Sequence, residues 1–558
     1  MTVDSPSPAP ARAAERPTVD LAAAGLLPPL PQAFLEGRDR DLLEPLRFLE
    51  PGALPEPVRH APLPDRRRLA EGLRSANRAY GHPAAERLSD LLADPETAVV
   101  VGGQQPGLFG GPLYTLSKMV AIGRWAEAIE KAPGGGGRPA VPVFWVATED
   151  HDWAEVARTT FLAPEGPRRF ELGEDPDPLL PVGMRTLGPG VTPILEALPE
   201  LRSGERFDRW IETLARIYRP DARFGEAFCR WAVAVLGERC PLLLDAMDPA
   251  VKEAEAPWLA RLVERRAEWE EASEAADRRL EERGHSLQVH PQRGTSPLFE
   301  LRGGERRRIE WTFEGATAAG EGGAYRLRGS EAPPRPVAEL LEEIADNPAA
   351  VSPGVLARPA VQDAILGTTL QVLGPGELSY MAQAAPAYRV LEVAAPWVAL
   401  RPQTLVLEAH HREKLEELGL PLAALLGSEE ELERRLAGAN GANLVERARR
   451  EVEAALDGLR EEALAVDPNL ERPFEKTRES LLHALETFAG KLTAAAARRD
   501  EVRSSRVERL RQVCRPGGAL QERVVSSSHF PGKHGERFAD ALWEQMELDG
   551  RRLQVIEP

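Results

Sequence analysis

Two short runs of uninterrupted apolar residues constrain the fold of this 558-residue chain more than any other feature. Residues 98–101 and 141–146 lack the alternation of polar and apolar side chains that a half-exposed strand shows. Such strands are typical of parallel sheets covered on both faces. Residues 113–131, which lie between them, carry apolar side chains at helical spacing. The sequence therefore predicts a βαβ unit.

The same pattern returns further along the chain. Helical patterns precede three more short apolar runs, at residues 241–244, 369–373 and 397–400. Residues 161–223 and 286–345 break the rhythm, the first with many prolines and the second with short alternating runs. We therefore predict an α/β protein with a Rossmann-like parallel-sheet core that is interrupted by inserted connecting segments.

From about residue 429 the composition is dominated by Ala, Leu, Glu and Arg, which favour helices. Apolar residues here recur in steps of seven and in alternating steps of four and three, with a break at Asp467-Pro468-Asn469. This spacing predicts two long helices that form a C-terminal antiparallel α-helical coiled coil, or that pair with another subunit.

These patterns divide the chain into eight predicted segments. They are a disordered N-terminal lead (1–30), the first part of the Rossmann-like core (31–160), an inserted connecting segment (161–223), the continued core (224–285), a second inserted segment (286–345), the last part of the core (346–425), a coiled-coil hairpin (426–515) and a C-terminal tail packing on the core (516–558).

Composition narrows the class of protein. A net charge of -18 argues against nucleic acid as a partner, because phosphate binding needs a basic surface. The three cysteines are scattered, which favours reduced thiols in the cytoplasm over disulfides. There is no apolar run of about 18 residues or more, and so we expect no membrane span.

A glycine-rich turn follows the first predicted strand. It runs from Gly103 through Gln104, Gln105 and Gly107 to Tyr114. Glycines let a ligand approach the backbone, and N–H groups at a helix start favour an anion. The alternative is a tight strand-to-helix turn without a ligand, since the segment matches neither the phosphate loop nor the dinucleotide fingerprint.

Four ionisable residues, Glu149, Asp150, His151 and Asp152, directly follow the second predicted strand. Ligands of open α/β sheets bind at the carboxyl ends of strands, and so we assign these four as catalytic. A carboxylate here can orient His151 as a general base or hold a cationic amine. Two alternatives stay open: a helix N-cap, which suits Asp152, and a metal site.

The end of a third predicted strand also carries polar residues, and an arginine adds positive charge to the predicted site. Glu377 and Tyr380, together with Arg358, complete the predicted substrate-binding set with Gln104, Gln105 and Tyr114, because arginine grips carboxylate or phosphate. Taken singly, each of these residues is more often part of a surface salt bridge. The residues assigned to a cofactor are Gly103, Gly107, Gly374, Gly376, Arg401, Gln403 and Thr404.

These motifs together resemble one family. Residues 103–114, 141–152, 374–380 and 520–524 are similar to the bacterial cysteine-adding enzymes of bacillithiol biosynthesis. The resemblance implies a cytoplasmic ligase that joins L-cysteine to the amine of glucosaminyl-malate, and a homodimer formed through the coiled coil. Since a carboxyl group must be activated, it also implies ATP as co-substrate, with no metal beyond Mg²⁺ accompanying ATP.

The resemblance also suggests how the residues divide the work. A carboxylate of the 149–152 cluster would hold an amine, His151 would be the general base, and arginines would grip malate carboxylates or phosphate. Residues 526–530 depart from the family pattern. Two other functions stay open: a metal-dependent hydrolase using Asp150, His151 and Asp152, and a non-catalytic dimeric scaffold with a ligand-sensing core.

Overall fold

The computed structural model describes residues 16–60, 65–133, 137–290, 294–312, 323–436, 438–498 and 501–558. The chain divides into two compact units. The first comprises Met1–Pro164, Arg168–Val406 and Glu522–Pro558, and the second Glu165–Pro167 and Leu407–Gln521.

A six-stranded, fully parallel sheet lies at the centre of the first unit. Its strands, in chain order, are β1 (Arg47–Phe48), β2 (Ala98–Gln104), β3 (Ala140–Val146), β4 (Leu242–Asp245), β5 (Thr368–Leu373) and β6 (Trp397–Leu400). Their order across the sheet is β1-β6-β5-β2-β3-β4. The predicted parallel-sheet core is confirmed.

The two faces of β2 explain why its sequence does not alternate. Ala98 and Val100 pack into a cluster with the helix Leu113–Glu130, while Val99 and Val101 pack into a second cluster on the opposite face. All four side chains are buried. Because both faces are covered, each position of the strand favours an apolar residue.

Helices surround this sheet. Those of the first unit are Pro29–Leu35, Arg67–Tyr80, Ala85–Ala93, Leu113–Glu130, Trp153–Val156, Val191–Ala197, Glu205–Ile217, Phe224–Leu236, Pro249–Glu264, Arg266–Glu282, Val337–Asp346, Arg358–Leu366, Pro375–Ala384, Pro386–Leu391, His529–His534 and Arg537–Gln545. The sequence predicts one charged helix over residues 252–283, but the structure has two, Pro249–Glu264 and Arg266–Glu282, with Arg265 between them.

The inserted segments add strands outside the central sheet. The first contains Arg158–Ala163 and Gly166–Glu171. The second builds an antiparallel sheet in the order Arg335–Pro336, Ala324–Leu327, Glu305–Thr312, Thr295–Arg302 and Val351–Pro353.

Both ends of the described chain join one small sheet. Arg552–Ile556 pairs antiparallel with Thr18–Asp20 and parallel with Gln403–Val406. The prediction of disorder through residue 30 is therefore wrong for residues 16–30, since Val19 is buried and its strand is paired. Residues 1–15 lie outside the described part of the chain.

The second unit is helical. Its helices are Ala409–Leu418, Leu422–Leu426, Glu429–Leu436, Gly438–Val466, Glu471–Arg498 and Glu501–Cys514. The chain reverses at Asp467, whose side chain accepts from the backbone N–H of Asn469. Ion pairs join the two long helices at Arg460–Glu471 and Arg449–Glu486, as an antiparallel hairpin requires. In the described residues, no helix has the length and apolarity that crossing a membrane needs.

Candidate active site

The carboxyl ends of β2, β3, β5 and β6 lie side by side at one edge of the parallel sheet. Residues at or just after these ends include Gln104, Glu149, Gly374 and Arg401. Ligands of open α/β sheets bind at this edge. The side chains there form two neighbouring clusters.

Lys118 occupies the centre of the first cluster, which we call the lysine cluster. Its side chain is only 1% exposed, and Nζ donates to the carbonyl oxygen of Gly103 at 2.8 Å and to Oε1 of Gln104 at 3.3 Å. It also forms an ion pair with Glu377, whose Oε2 accepts from the backbone N–H of Gly374 at 2.6 Å. Burial lowers the pKa of Lys118, and Glu377 opposes that effect.

Gln104 links this lysine to two further groups. Its Nε2 donates to Oε1 of Glu155 at 3.1 Å and to the hydroxyl of Tyr114 at 3.3 Å. Burial raises the pKa of Glu155, and the carboxylates of Asp152 and Asp150 raise it further. A half-buried carboxyl of this kind exchanges protons more readily near neutral pH than an exposed one does.

Arg358 and Tyr380 border the same cluster. Arg358 donates to Oε1 of Gln362 at 2.9 Å and to the Tyr380 hydroxyl at 3.4 Å. Burial raises the pKa of Tyr380 to about 12, so that its hydroxyl stays protonated. The structure thus brings five of the six predicted substrate-binding residues, all except Gln105, around Lys118.

Gln105 belongs to the second cluster, which we call the histidine cluster. Its Nε2 donates to Oδ2 of Asp150 at 2.8 Å. Nδ1 of His151 lies 3.7 Å from Oδ1 of Asp150 and 3.5 Å from Nη1 of Arg306. Burial lowers the pKa of His151, and the Arg306 charge lowers it further, against the opposing charge of Asp150.

The four predicted catalytic residues do not lie in one cluster. Glu149 is 7% exposed and forms an ion pair with Lys252, which also pairs with Glu255. Asp152 caps the helix Trp153–Val156 by accepting from the backbone N–H of Glu155 at 3.1 Å. Asp150 and His151 are therefore the two members held in the histidine cluster.

The predicted cofactor residues make contacts within the chain. A Cβ on Gly103 would lie 2.8 Å from the Trp145 carbonyl oxygen, and one on Gly107 would lie 2.7 Å from Cα of Gly111. Close backbone packing thus explains both glycines. Gly376 has open space around it.

The basic residue of this set is already paired. Arg401 donates to both carboxylate oxygens of Glu522, at 2.6 and 2.9 Å, and Glu522 also accepts from the backbone N–H of Thr404. The Thr404 hydroxyl lies 2.7 Å from that of Ser117, while Gln403 is fully buried. The ATP contacts assigned to these residues stay a prediction.

A serine-rich segment of the tail holds the glycine turn in place. Ser528 donates to the carbonyl oxygen of Phe109 at 2.7 Å, and Ser527 donates to that of Pro112 at 2.8 Å. Phe109 has a φ of 52°, which is unfavourable for a bulky side chain. The hydroxyls of this segment therefore bind backbone carbonyl oxygens of the glycine turn.

The predicted set of site residues leaves out several members of these clusters. Lys118 follows Tyr114 by four residues and so shares its helix face, a signal that was sufficient to find it. Glu155 had a weaker signal, one turn after the acidic cluster. Arg306 lies far from these motifs in sequence, and only the fold brings it close. Glu522 lies within residues 520–524, but only the fold brings it to Arg401.

Two family models cover nearly all of the described chain. Residues 56–402 match the N-terminal Rossmann-like domain of the bacillithiol biosynthesis protein BshC, and residues 404–557 match its C-terminal coiled-coil domain. The chain belongs to the BshC family. The predicted family and fold class are confirmed.

Curated members of the BshC family resemble the chain over most of its length. A protein of Solibacter usitatus (strain Ellin6076), named "Putative cysteine ligase BshC", is 32% identical over 85% of this chain and 87% of its own. Proteins of the same name from Salinibacter ruber (strain DSM 13855 / M31) and Geobacillus kaustophilus (strain HTA426) are 30% and 28% identical, covering 88% and 86% of this chain and 89% and 88% of their own.

The hypothesis of a metal-dependent hydrolase requires several side chains that converge on one metal ion. Within the described ranges, no three His, Cys, Asp or Glu side chains are placed to hold a metal ion together. Asp152 is engaged as a helix cap, and Asp150 accepts from Gln105. The geometry therefore gives the hydrolase reading no support.

Proposed function

We propose that this BshC-family chain is a ligase that forms an amide between the carboxyl group of L-cysteine and the amine of glucosaminyl-malate. Membership of the family supports a ligase over a scaffold, since its curated relatives carry that name. ATP is the proposed co-substrate, because a free carboxylate does not form an amide without activation. The cytoplasm is the proposed location.

The observation that carries the proposal is the mixture of charges in the lysine cluster. Glu377 and Glu155 can receive an ammonium group, while Arg358 can receive a carboxylate. Cysteine carries one charge of each sign, and glucosaminyl-malate carries an amine and two carboxylates. A site for such substrates needs both kinds of group within one pocket.

The proposal is tested with the purified chain, L-cysteine, glucosaminyl-malate and ATP, with the amide product followed by mass spectrometry. Product should require all three substrates, and the ratio of ADP to AMP would identify the mode of activation. E377Q should raise KM for an amine-bearing substrate at least tenfold, while E212Q, at an exposed helix position, should match wild type. No product from wild-type protein would overturn the proposal.

We further propose that the hairpin joins two copies of the chain. Leu459, Leu481 and Phe488 are 53%, 46% and 61% exposed, and the last two lie seven residues apart on one helix. Large apolar side chains spaced in this way are typical of a coiled-coil surface. Light scattering should show a dimer for wild type and a monomer for the double variant L481D/F488D. An unchanged mass for the variant would refute this interface.

A further inference from the structure

Arg306 is held rigidly beside the histidine cluster. Its side chain is 7% exposed, its Nε donates to the Ser352 hydroxyl at 2.9 Å, and its Nη2 donates to the Pro353 carbonyl oxygen at 3.2 Å. The guanidinium carbon lies 3.9 Å from the centre of the Phe299 ring. Three sides of the guanidinium group are thus fixed by Ser352, Pro353 and Phe299, all of which belong to the antiparallel sheet.

The remaining nitrogen, Nη1, faces two acceptors. Nδ1 of His151 is nearer at 3.5 Å, and Oδ1 of Asp150 lies at 3.8 Å. That oxygen already accepts from the backbone N–H of His151 at 2.8 Å, while Oδ2 accepts from Gln105. A buried guanidinium N–H needs an acceptor, and arginine does not give up its proton. Nδ1 is the nearer acceptor, and it can accept from Arg306 only when the neutral ring carries its proton on Nε2.

The charges around the ring decide whether it is neutral. Arg306 and Arg185 disfavour the imidazolium form, whereas Asp150 and Asp152 favour it. Burial is the largest effect and lowers the pKa of His151 below its ordinary value. A pKa that is lowered from about 6.5 leaves the ring neutral at pH 7.

We propose that His151 acts as a neutral hydrogen-bond donor through Nε2–H, and that Arg306 is the positioning residue that selects this tautomer. The inference rests on the proposed ligase function and replaces the predicted role of His151 as general base. The acceptor is the carbonyl oxygen of the activated cysteine, which gains negative charge as the amine attacks. A preorganised donor to such an oxygen stabilises the transition state.

The bonds balance without a proton moving through His151. The amine lone pair forms the C–N bond, and phosphate or AMP leaves with the electron pair of the C–O bond. The amine proton passes to water. His151 keeps its Nε2 proton throughout.

The tautomer itself is measured by NMR of wild-type protein labelled with ¹⁵N in histidine, and the signals of His151 are assigned by their absence in H151Q. We expect Nε2 to carry the proton and Nδ1 to lack one at pH 7. A proton on Nδ1 would overturn the inference. Because this readout does not depend on ligation, it separates failure of the inference from failure of the proposed function.

The role is tested by replacing the ring. Gln at this position keeps an N–H donor near the place of Nε2 but cannot act as a base. We expect H151Q to stay within about tenfold of wild type and H151A to lose about 10²- to 10³-fold in kcat, while the exposed control H410Q keeps the wild-type rate. Equal losses in H151Q and H151A would overturn the donor role.

In R306Q, the pH dependence of the rate has opposite directions for the two possible roles of His151, hydrogen-bond donor and general base. Without the arginine, the ring takes both tautomers and its pKa rises, and protonation then restores an Nε2–H donor. The ratio of the R306Q rate to the wild-type rate should therefore increase as pH falls through the new pKa of His151, with R306K as the conservative comparison. If the ratio instead decreases as pH falls, His151 acts as a base.

Discussion

The pair formed by Lys118 and Glu377 predicts an unequal response to removal of either partner. The ammonium of Lys118 is 1% exposed, whereas the Glu377 side chain is 21% exposed. Removing one partner of a buried ion pair costs about 3 to 5 kcal/mol, mainly because the other charge is left without compensation. The cost should therefore depend on which charge stays behind.

E377Q leaves the buried ammonium with two neutral acceptors, Gly103 and Gln104. Each bond to these contributes about 1 kcal/mol, so we expect the free energy of unfolding to fall by about 2 to 4 kcal/mol. K118M leaves a carboxylate that water reaches and that keeps its bond from the backbone of Gly374. For this variant we expect a loss of about 1 to 2 kcal/mol.

Urea denaturation followed by tryptophan fluorescence measures these losses. All ten tryptophans lie in the first unit, and so the signal reports on the unit that contains the pair. E205Q, which breaks the exposed pair of Glu205 and Arg209, is the matched control and should cost less than about 0.5 kcal/mol.

Two outcomes would refute the reasoning. One is an E377Q loss no larger than that of E205Q, and the other is a K118M loss larger than that of E377Q. The double variant K118M/E377Q should lose less than the sum of the single losses, because it leaves neither charge unpaired.

Three further perturbations use the same fluorescence assay. G110A should lose at least about 2 kcal/mol, because the new Cβ would lie 2.1 Å from the Trp231 ring, while G25A shares a positive φ but has open space. An equal loss in both would contradict this reasoning. E522Q should lose about 3 to 5 kcal/mol, since it leaves Arg401 buried without its carboxylate, and a loss below 1 kcal/mol would contradict it. Asp363 is buried and its pKa is raised to about 6. Between pH 4 and 6 the folded state therefore keeps a proton that the unfolded state has lost, and stability should fall by up to about 3 kcal/mol as pH rises. In D363N this part of the pH dependence should be absent.

The central sheet was predictable because its signal is local. Residues 98–101 and 141–146 are apolar on every position, and burial of both faces of β2 and β3 gives the reason. The hairpin was predictable for the same reason, since its apolar spacing and the break at residue 467 lie within a short stretch. The order of residues 16–30 was not predictable, because it depends on the pairing of Thr18–Asp20 with the C-terminal strand, more than 500 residues away.

The sequence predicted where the site lies, but it did not predict how the side chains divide into separate clusters. Glu149 and Asp150 are adjacent in sequence and both follow a buried strand, so no local pattern separates them. Their contact partners separate them. Glu149 is buried and forms an ion pair with Lys252. Asp150 is held beside His151 by Gln105 and Arg306. Each partner comes from a different part of the chain.

The same argument bears on which charges are free to meet a substrate. Arg401 and Arg358 were both predicted to bind anions. Glu522 satisfies the charge of Arg401 with two hydrogen bonds, whereas Arg358 donates to the neutral side chains of Gln362 and Tyr380. A guanidinium group held by neutral acceptors keeps its charge for an incoming carboxylate. The substrate carboxylate should therefore depend on Arg358. R358Q should raise KM for the carboxylate-bearing substrate, and R401Q should act mainly on stability.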